Sequence, residues 1–372
     1  MRRIILSVLA CGAIGALAAQ TGPQRAVVSY AAGFSIEYRP GYKVLGVKSP
    51  WPGAKRGFTY VLYRRGEPRP AGVEADGFFE TPLRRVITFS TTYIPQIAAL
   101  GEADSIVGVD SASFVSTPEL RTRIESGATV ETTRNWSPNL ELMISLAPDA
   151  VFTYGMGNEW DAHSKMKEAG LPVVVNGDWN EASPLARAEW LKFIAAFYDK
   201  EAFASSYFDS IVREYERVRA LAAAAKERPR VLADGPFQGS WTVPGGKSYM
   251  ARYIADAGGL YLWAEDGGTG GLALSSEKVY ERALGADIWL NPSIAVRSRA
   301  DLAALDPRFA ALPLMNRGGV WNDTRRLSPG GGDDYFESGI MRPDLVLIDL
   351  VKIFHPGLLG DRPFTYYLKV DG

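Results

Sequence analysis

Residues 183–226 hold no glycine and a single proline, Pro184, in a chain that carries 38 glycines and 23 prolines. Pro184 suits the first turn of a helix, where its missing N–H is not needed. Apolar residues then recur at helical spacing through Trp190, Phe193, Ile194, Phe197, Phe208, Val212, Tyr215 and Val218, and Pro229 stops the run. The segment predicts a long helix or helix pair, about 65 Å if unbroken at 1.5 Å per residue. An element of that length between two stretches of different grammar acts as a spine. It divides the chain into parts that must each build a core.

On both sides the pattern is strand, loop, helix. Before the spine, Arg85–Phe89, Ser105–Val109, Val151–Tyr154 and Pro172–Val175 read as short buried strands, with Ile94–Leu100 a helix ended by Gly101. After it, Arg230–Ala233, Gly285–Leu290 and Val320-Trp321 read as strands, Tyr249–Ala257 as a helix and Pro343–Phe354 as a closing amphipathic helix. Alternating β and α elements imply parallel sheets covered by helices. Residues 26–80 differ: Phe34–Tyr38, Tyr42–Val47 and Phe58–Tyr63 alternate partially and are punctuated by Arg39-Pro-Gly41 and Pro50-Trp-Pro-Gly53, which predicts a small antiparallel meander. The expected fold class is α/β, with two Rossmann-like lobes joined by a long rigid helix and an N-terminal antiparallel β extension. The expected boundaries are 1–19 for a signal peptide, 20–82 for the extension, 83–182 for the N-terminal lobe, 183–228 for the connecting helix and 229–372 for the C-terminal lobe.

Two stretches are loose copies of each other: Asn139–Phe152 and Ser276–Trp289. Each starts with an acidic residue in a short helix, Glu141 or Glu277, and runs into an apolar strand. The helix macrodipole alone favours a carboxylate there, by about 0.3–1 kcal/mol. The matched pair on two lobes suggests more.

The N-terminus reads as a secretory signal: Met1-Arg2-Arg3, an apolar run from Ile4 to about Gly15, then Ala16-Leu17-Ala18 as a cleavage pattern. The chain's one cysteine, Cys11, lies inside it, and Val8-Leu9-Ala10-Cys11 resembles a lipobox. The residues after Cys11 stay apolar, so release is favoured over lipid anchoring through Cys11. The expected location is periplasmic or secreted. A net charge of −1 gives no basic surplus for nucleic acid, and a monomer is expected.

The ordered series Arg85–Thr92, Ile106–Asp110, Asn139–Asp149, Ile254–Gly259, Ala286–Asn291 and Arg342–Leu347 resembles the periplasmic solute-binding proteins of ABC importers for iron–siderophore complexes and cobalamin. These are the helical-hinge, class III type, and the resemblance covers roughly residues 84–358. It implies that the ligand is clasped between the lobes and that closure is a small tilt. It also implies that one glutamate per lobe, here Glu141 and Glu277, docks on arginines of the permease. The ligand would be an iron–siderophore, another metal chelate or cobalamin. The metal would arrive within the ligand, so no cofactor is expected.

Open α/β sheets bind ligands at the carboxyl ends of their strands. That rule selects Thr92, Tyr93, Asn135, Trp136, Tyr154, Met156, Asn158 and Trp179 on the first lobe, and Phe237, Trp241, Asn291 and Trp321 on the second. Aromatic faces with amide and hydroxyl groups suit a large, partly apolar ligand with polar edges. The glycine-rich pieces at 244–247, 267–271 and 329–334 lack the spacing of a phosphate-binding loop and read as tight loops. His163 and His355 are the only histidines, which argues against a directly bound transition metal. No nucleophile elbow or H-E-x-x-H motif is present, so no catalytic residue is assigned. The alternative is a secreted carbohydrate hydrolase with an aromatic cleft and an acid pair, with Asp333, Asp334 and Glu337 as candidate acids; acids in a polar loop are more often solvated.

Overall fold

The computed structural model describes residues 25–370 except positions 136, 160, 238, 239 and 318, with the side chains of Phe237 and Ser240 also outside the description. The signal-peptide reading and Cys11 lie outside the described residues, as does Trp136. The described chain forms two α/β lobes with an N-terminal β sheet against the first.

That first sheet has strands Phe34–Arg39, Tyr42–Val47, Phe58–Arg64 and Gly77–Thr81, in that order. The first three are antiparallel, as their alternation and turns predict. The fourth runs parallel to the third, an addition that Gly77-Phe-Phe-Glu-Thr81 does not announce as a sequence. Burial is one-sided: Leu45, Val47, Tyr60, Leu62 and Phe79 join the core of the N-terminal lobe. The Tyr60 hydroxyl accepts a hydrogen bond from the Val175 amide at 2.8 Å, tying the sheet to an edge strand of that lobe.

The N-terminal lobe holds a parallel sheet in the spatial order Val173–Val175, Ala150–Thr153, Val86–Thr88, Ile106–Val109, Val130–Glu131. Its three central strands are buried on both faces, which is why they read as unbroken apolar runs. In the C-terminal lobe the order is Leu260–Tyr261, Arg230–Ala233, Ile288–Leu290, Val320–Asn322, Leu368–Lys369, the last strand antiparallel. The lobes are therefore not copies in topology. Numbered within each lobe, the strands run 5-4-1-2-3 in the first and 2-1-3-4-5 in the second. The two matching stretches nonetheless occupy like places. Helix Leu140–Ser145 feeds the strand that pairs with Val86–Thr88, and helix Ser276–Ala283 feeds the strand that pairs with Arg230–Ala233. In both cases the partner is the first strand of its lobe.

The spine is a helix pair. Pro184–Ala196 has every residue buried, and Glu201–Ala223 is a longer amphipathic helix of 23 residues, about 34 Å by the 1.5 Å rise. A single 65 Å rod does not form, because Asp199 between them takes a left-handed backbone, φ 56°. That turn is held by Lys43, whose Nζ donates to the Ala196 carbonyl and to Asp199. Pro184–Ala196 is the true link between lobes. Its Leu185 and Ala188 pack in the core of the second lobe, while Trp190, Phe193 and Ile194 pack in the core of the first. Glu201–Ala223 lies against Pro343–Phe354 on the second lobe; Phe208, Ile211, Tyr215, Val218 and Ala222 supply its buried stripe. On the linking helix the buried pair Glu189–Lys192, 2.8 Å apart, is satisfied by the N-terminal arm: Ser29, Tyr30 and Ala31 donate backbone N–H groups to Glu189, and Val27 accepts from Lys192. These extra bonds offset the desolvation that a buried ion pair costs.

Candidate ligand cleft

The strand orders place a reversal beside the first strand of each lobe, where crossovers leave to opposite sides and a crevice opens. In the second lobe the residues just past the two strands at this point, Asp234 and Asn291, both have left-handed backbones, φ 60° and 54°. This conformation is uncommon outside glycine and best tolerated by Asn and Asp. It turns the chain sharply at the sheet edge. The Trp289 indole N–H donates to the Asp234 carbonyl at 2.8 Å and fixes one of the turns.

Two cavities lie here, of about 760 and 400 Å³. Trp179, Asp333 and Phe336 line both, so they are two halves of one cleft. The smaller half is walled by first-lobe loops carrying Ser90, Thr92, Tyr93, Asp110, Tyr154 and Met156. The larger is walled by Asp234, Tyr249, Asn291, Asn322 and Asp323 of the second lobe, with Pro52 from the N-terminal sheet at the rim. The loop that bears Pro52 is seated by Trp51. Its ring lies over Gly155 and Gly157, where a Cβ would come within 2.5 Å. Trp51 thereby shapes the Tyr154–Met156 loop.

Of the residues selected from sequence, Thr92, Tyr93, Tyr154, Met156, Trp179 and Asn291 line the cleft. Trp241 does not. It is fully buried, stacked on Trp289 at 5.6 Å between ring centres and packed on Phe309 at 4.6 Å. Trp321 packs on Phe364, and only its neighbours Asn322 and Asp323 reach the cavity. Both rings are held by aromatic partners instead, and since consecutive residues line the cavity at both places, Thr242 with Val243 and Asn322 with Asp323, alternation alone does not assign the side. Asn135 and Asn158 sit on loops outside the lining. Glycine-rich segments do contribute, through Pro244, Thr269, Gly270, Gly271 and Gly332.

The polar lining is dominated by carboxyls. Burial pushes Asp234 up to about 7 and Asp110 up to about 6. Asp323 and Asp333 face each other within hydrogen-bonding reach. Burial raises both, and nearby carboxyls add to it: Asp333 and Asp234 for Asp323, and Asp334 for Asp333. That spacing is tighter than the roughly 5–10 Å a glycosidase needs between its acids. Arg187 is buried, with its guanidinium 4.7 Å from the Tyr249 ring centre, and it draws Asp178 down against the upward push of burial. Arg325 and Arg326 are absent from the lining; Arg326 pairs with Asp334 at 3.0 Å. Both histidines are structural. His163 packs on Trp51, and His355 Nε2 lies 3.0 Å from the Ala257 carbonyl. Among the described residues no group of three or more His, Cys, Asp and Glu could hold a metal ion.

One wall of the cleft is a strap that crosses between lobes. Residues 328–337 belong to the second lobe, yet Ser328 Oγ and the Gly330 amide donate to the Ser113 carbonyl, and Gly332 lies against Phe114 so closely that a Cβ would collide with its backbone. Glu337 accepts the Ser116 and Thr117 amides, each at 2.7 Å, and the Thr117 hydroxyl. It thus caps helix Pro118–Glu125 of the other lobe. Burial raises Glu337 to about 7. Glu337 reads as a solvated loop acid in the sequence because its burial arises from residues more than 200 positions away; Asp333 is only partly buried, and Phe336 stays exposed at the cleft.

Glu141 and Glu277 are exposed and lie outside the cleft lining. Each is the second residue of its helix, behind an N-cap, Asn139 or Ser275, whose side chain accepts a backbone N–H. Glu277 lies 3.7 Å from Arg308, a contact open to solvent.

The family model for periplasmic binding proteins matches residues 86–300, more than half of the chain. An uncharacterised lipoprotein of Methanocaldococcus jannaschii is 27% identical over 332 residues, 85% of this chain and 77% of that protein. A second lipoprotein of the same organism is 27% identical over 331 residues, 84% and 80%. Among solved structures, a periplasmic haem-binding protein from Pseudomonas aeruginosa has a TM-score of 0.57 at 19% identity, covering 78% of this chain and 99% of that one. An ABC transporter substrate-binding protein from Listeria monocytogenes has a TM-score of 0.54 at 17% identity, covering 73% and 98%. At these identities the structural likeness speaks to the fold, two α/β lobes with a cleft between them. The chain belongs to the periplasmic binding protein family, the non-enzymatic solute-binding components of ABC transporters.

Proposed function

We propose that this protein binds a metal chelate, an iron–siderophore or corrinoid-type complex, between its lobes and delivers it to an ABC permease. The observation that carries the reading is the cleft at the two strand-order reversals. Its larger half of about 760 Å³ is at the upper end of the usual 300–1,000 Å³ for small-molecule sites, and the smaller half extends it. Tyr93, Tyr154, Met156, Trp179 and Phe336 offer apolar faces, while Thr92, Asn291 and Asn322 offer polar edges. In this reading the metal arrives inside the ligand. Binding stabilises the closed arrangement to the extent that the ligand touches both lobes.

Glu141 and Glu277 are the docking residues in this reading. Two exposed carboxylates at matching helix starts suit charge-assisted contacts to arginines of a transient partner. The two M. jannaschii relatives are named lipoproteins, which favours acylation at Cys11 over release. Equilibrium dialysis against ferric chelates, haem and cobalamin tests the ligand class, and no retention of any of them would refute it. Reversing both glutamates to arginine should abolish uptake in a transport assay with ligand affinity unchanged; a parallel loss of affinity would refute the docking role.

A further inference from the structure

We propose that the cleft selects a positively charged complex, and that Asp234, Asp323 and Asp333 of the second lobe are the residues that select it. The inference rests on the chelate reading and narrows it.

Among the described residues, the larger half of the cleft is lined by Glu181, Asp234, Asp323 and Asp333 and by no lysine, arginine or histidine. Glu181 is already engaged: it accepts the Ala32 and Gly33 amides and the Trp190 indole N–H. The three aspartates are not comparably used. Among the described residues no donor reaches the Asp234 carboxyl, and burial alone sets its acidity. Asp323 and Asp333 contact each other, and Asp333 also accepts the Tyr335 amide at 2.9 Å. The smaller half adds Asp110 and Asp178 against one cation, Arg187, whose field falls on Asp178 and Tyr249.

A second observation is independent of charge. Asn322 lines the same cavity and is 1% exposed. Its Nδ2 donates to the Ser293 and Val296 carbonyls at 2.7 and 2.9 Å, which fixes the amide orientation. The Oδ1 atom is left buried without a partner among the described residues. Buried polar atoms are nearly always paired, so an orphan acceptor on a cavity wall marks the place of a donor that the protein does not supply. Carboxyls and a free amide oxygen make this half a surface of acceptors. A cationic group with N–H donors satisfies all of them, and its charge removes the repulsion between the aspartates. A trianionic catecholate-type chelate would meet three carboxyls and no compensating cation there. Because the carboxyls do not group as metal ligands, they address the periphery of a complex already formed.

Two matched comparisons test this. Hexaamminecobalt(III) and hexacyanocobaltate(III) are inert octahedral ions of opposite charge. Only the cation should raise the melting temperature, and the Asp234→Asn/Asp323→Asn double variant should lose the response. Ferrioxamine B and its N-acetyl derivative differ by one ammonium group. The charged form should bind about tenfold more tightly, collapsing to within about twofold in the double variant. A response to the cobalt cation with no binding of ferrioxamine, haem or cobalamin keeps the charge inference and removes the chelate reading. Equal binding of the two ferrioxamines, with no shift from the cobalt cation, overturns the charge inference and leaves the chelate reading standing. Circular dichroism of the double variant checks that it folds. If it does not, the wild-type comparisons alone decide, since both probes of each pair meet the same protein.

Discussion

The carboxylate of Glu337 accepts the backbone amide of Thr117 at 2.7 Å, and these two residues belong to different lobes. The helix Pro184–Ala196 is thus not the lone tie between lobes. The strap that carries Glu337 forms one wall of the cleft, so parting the lobes on that side must break the bonds at Ser113, Ser116 and Thr117. Glu337→Ala leaves two buried amides without an acceptor, each costing about 1–3 kcal/mol. The variant should unfold at lower urea concentration and release a bound chelate faster, with the Kd increase appearing in the off-rate. Stopped-flow chase experiments read this. An unchanged off-rate would show that the strap plays no part in holding the cleft shut.

The pH dependence of stability follows from the raised carboxyls. Asp110 and Asp333 stand at about 6 and Asp234 and Glu337 at about 7, all above their unfolded values. Such groups bind protons more tightly when folded. Their contribution is fully present below the unfolded pKa and is lost as pH rises through about 6 to 7. Two groups oppose this in the same window: burial lowers His163 and His355 below the usual imidazole value, so their contribution is present above it and lost as pH falls, but the four raised carboxyls outnumber them. Glu214, lowered to about 2 by Arg217 and Arg362, loses its contribution only in strong acid. The ligand-free protein should therefore melt at a higher temperature at pH 5 than at pH 8. Asp234→Asn should narrow the gap by stabilising the protein at pH 8. Scanning calorimetry across that range checks both.

Trp241 separates core from cleft. Truncating it to alanine removes its packing on Trp289 and Phe309 and should cost about 3–5 kcal/mol of stability. Ligand affinity of the folded fraction should stay within about twofold, since the ring is absent from the lining. Denaturant titration and binding on the same preparation distinguish this from a ligand contact.

Cys11 tests the anchoring. Expressed with its own leader in a host that processes lipoproteins, the protein should incorporate radiolabelled palmitate and fractionate with membranes, and Cys11→Ser should do neither. Soluble release of the unsubstituted protein would restore the reading that the apolar residues after Cys11 suggest.

The parts of this fold legible in the sequence are those whose burial is local. The strands at Val86, Ile106, Ala150 and Val231 are apolar runs because helices cover both faces, and the break-free stretch from Pro184 shows as helix. The cleft residues Thr92, Tyr93, Tyr154, Met156, Trp179 and Asn291 follow from strand ends alone. Asp234, Asp323 and Asp333 could not be read this way, because an aspartate at a turn has the same appearance whether water or the other lobe lies beside it. Trp241 and Trp321 could not be placed from the sequence because the aromatic partners that hold them, Trp289, Phe309 and Phe364, lie more than 40 positions away. The strand Gly77–Thr81, and the short edge strands Val130–Glu131 and Leu260–Tyr261, are set by their partners and carry little signal of their own.

Trp179 lines both halves of the cleft, so its fluorescence reports on a ligand held between the lobes. Titration with ferrioxamine B, haem and cobalamin should give saturable quenching at one equivalent for at least one of them, and Trp179→Phe should remove most of that signal. If none of the three quenches the wild-type protein, or if quenching persists undiminished without Trp179, no such ligand binds in the cleft between the lobes.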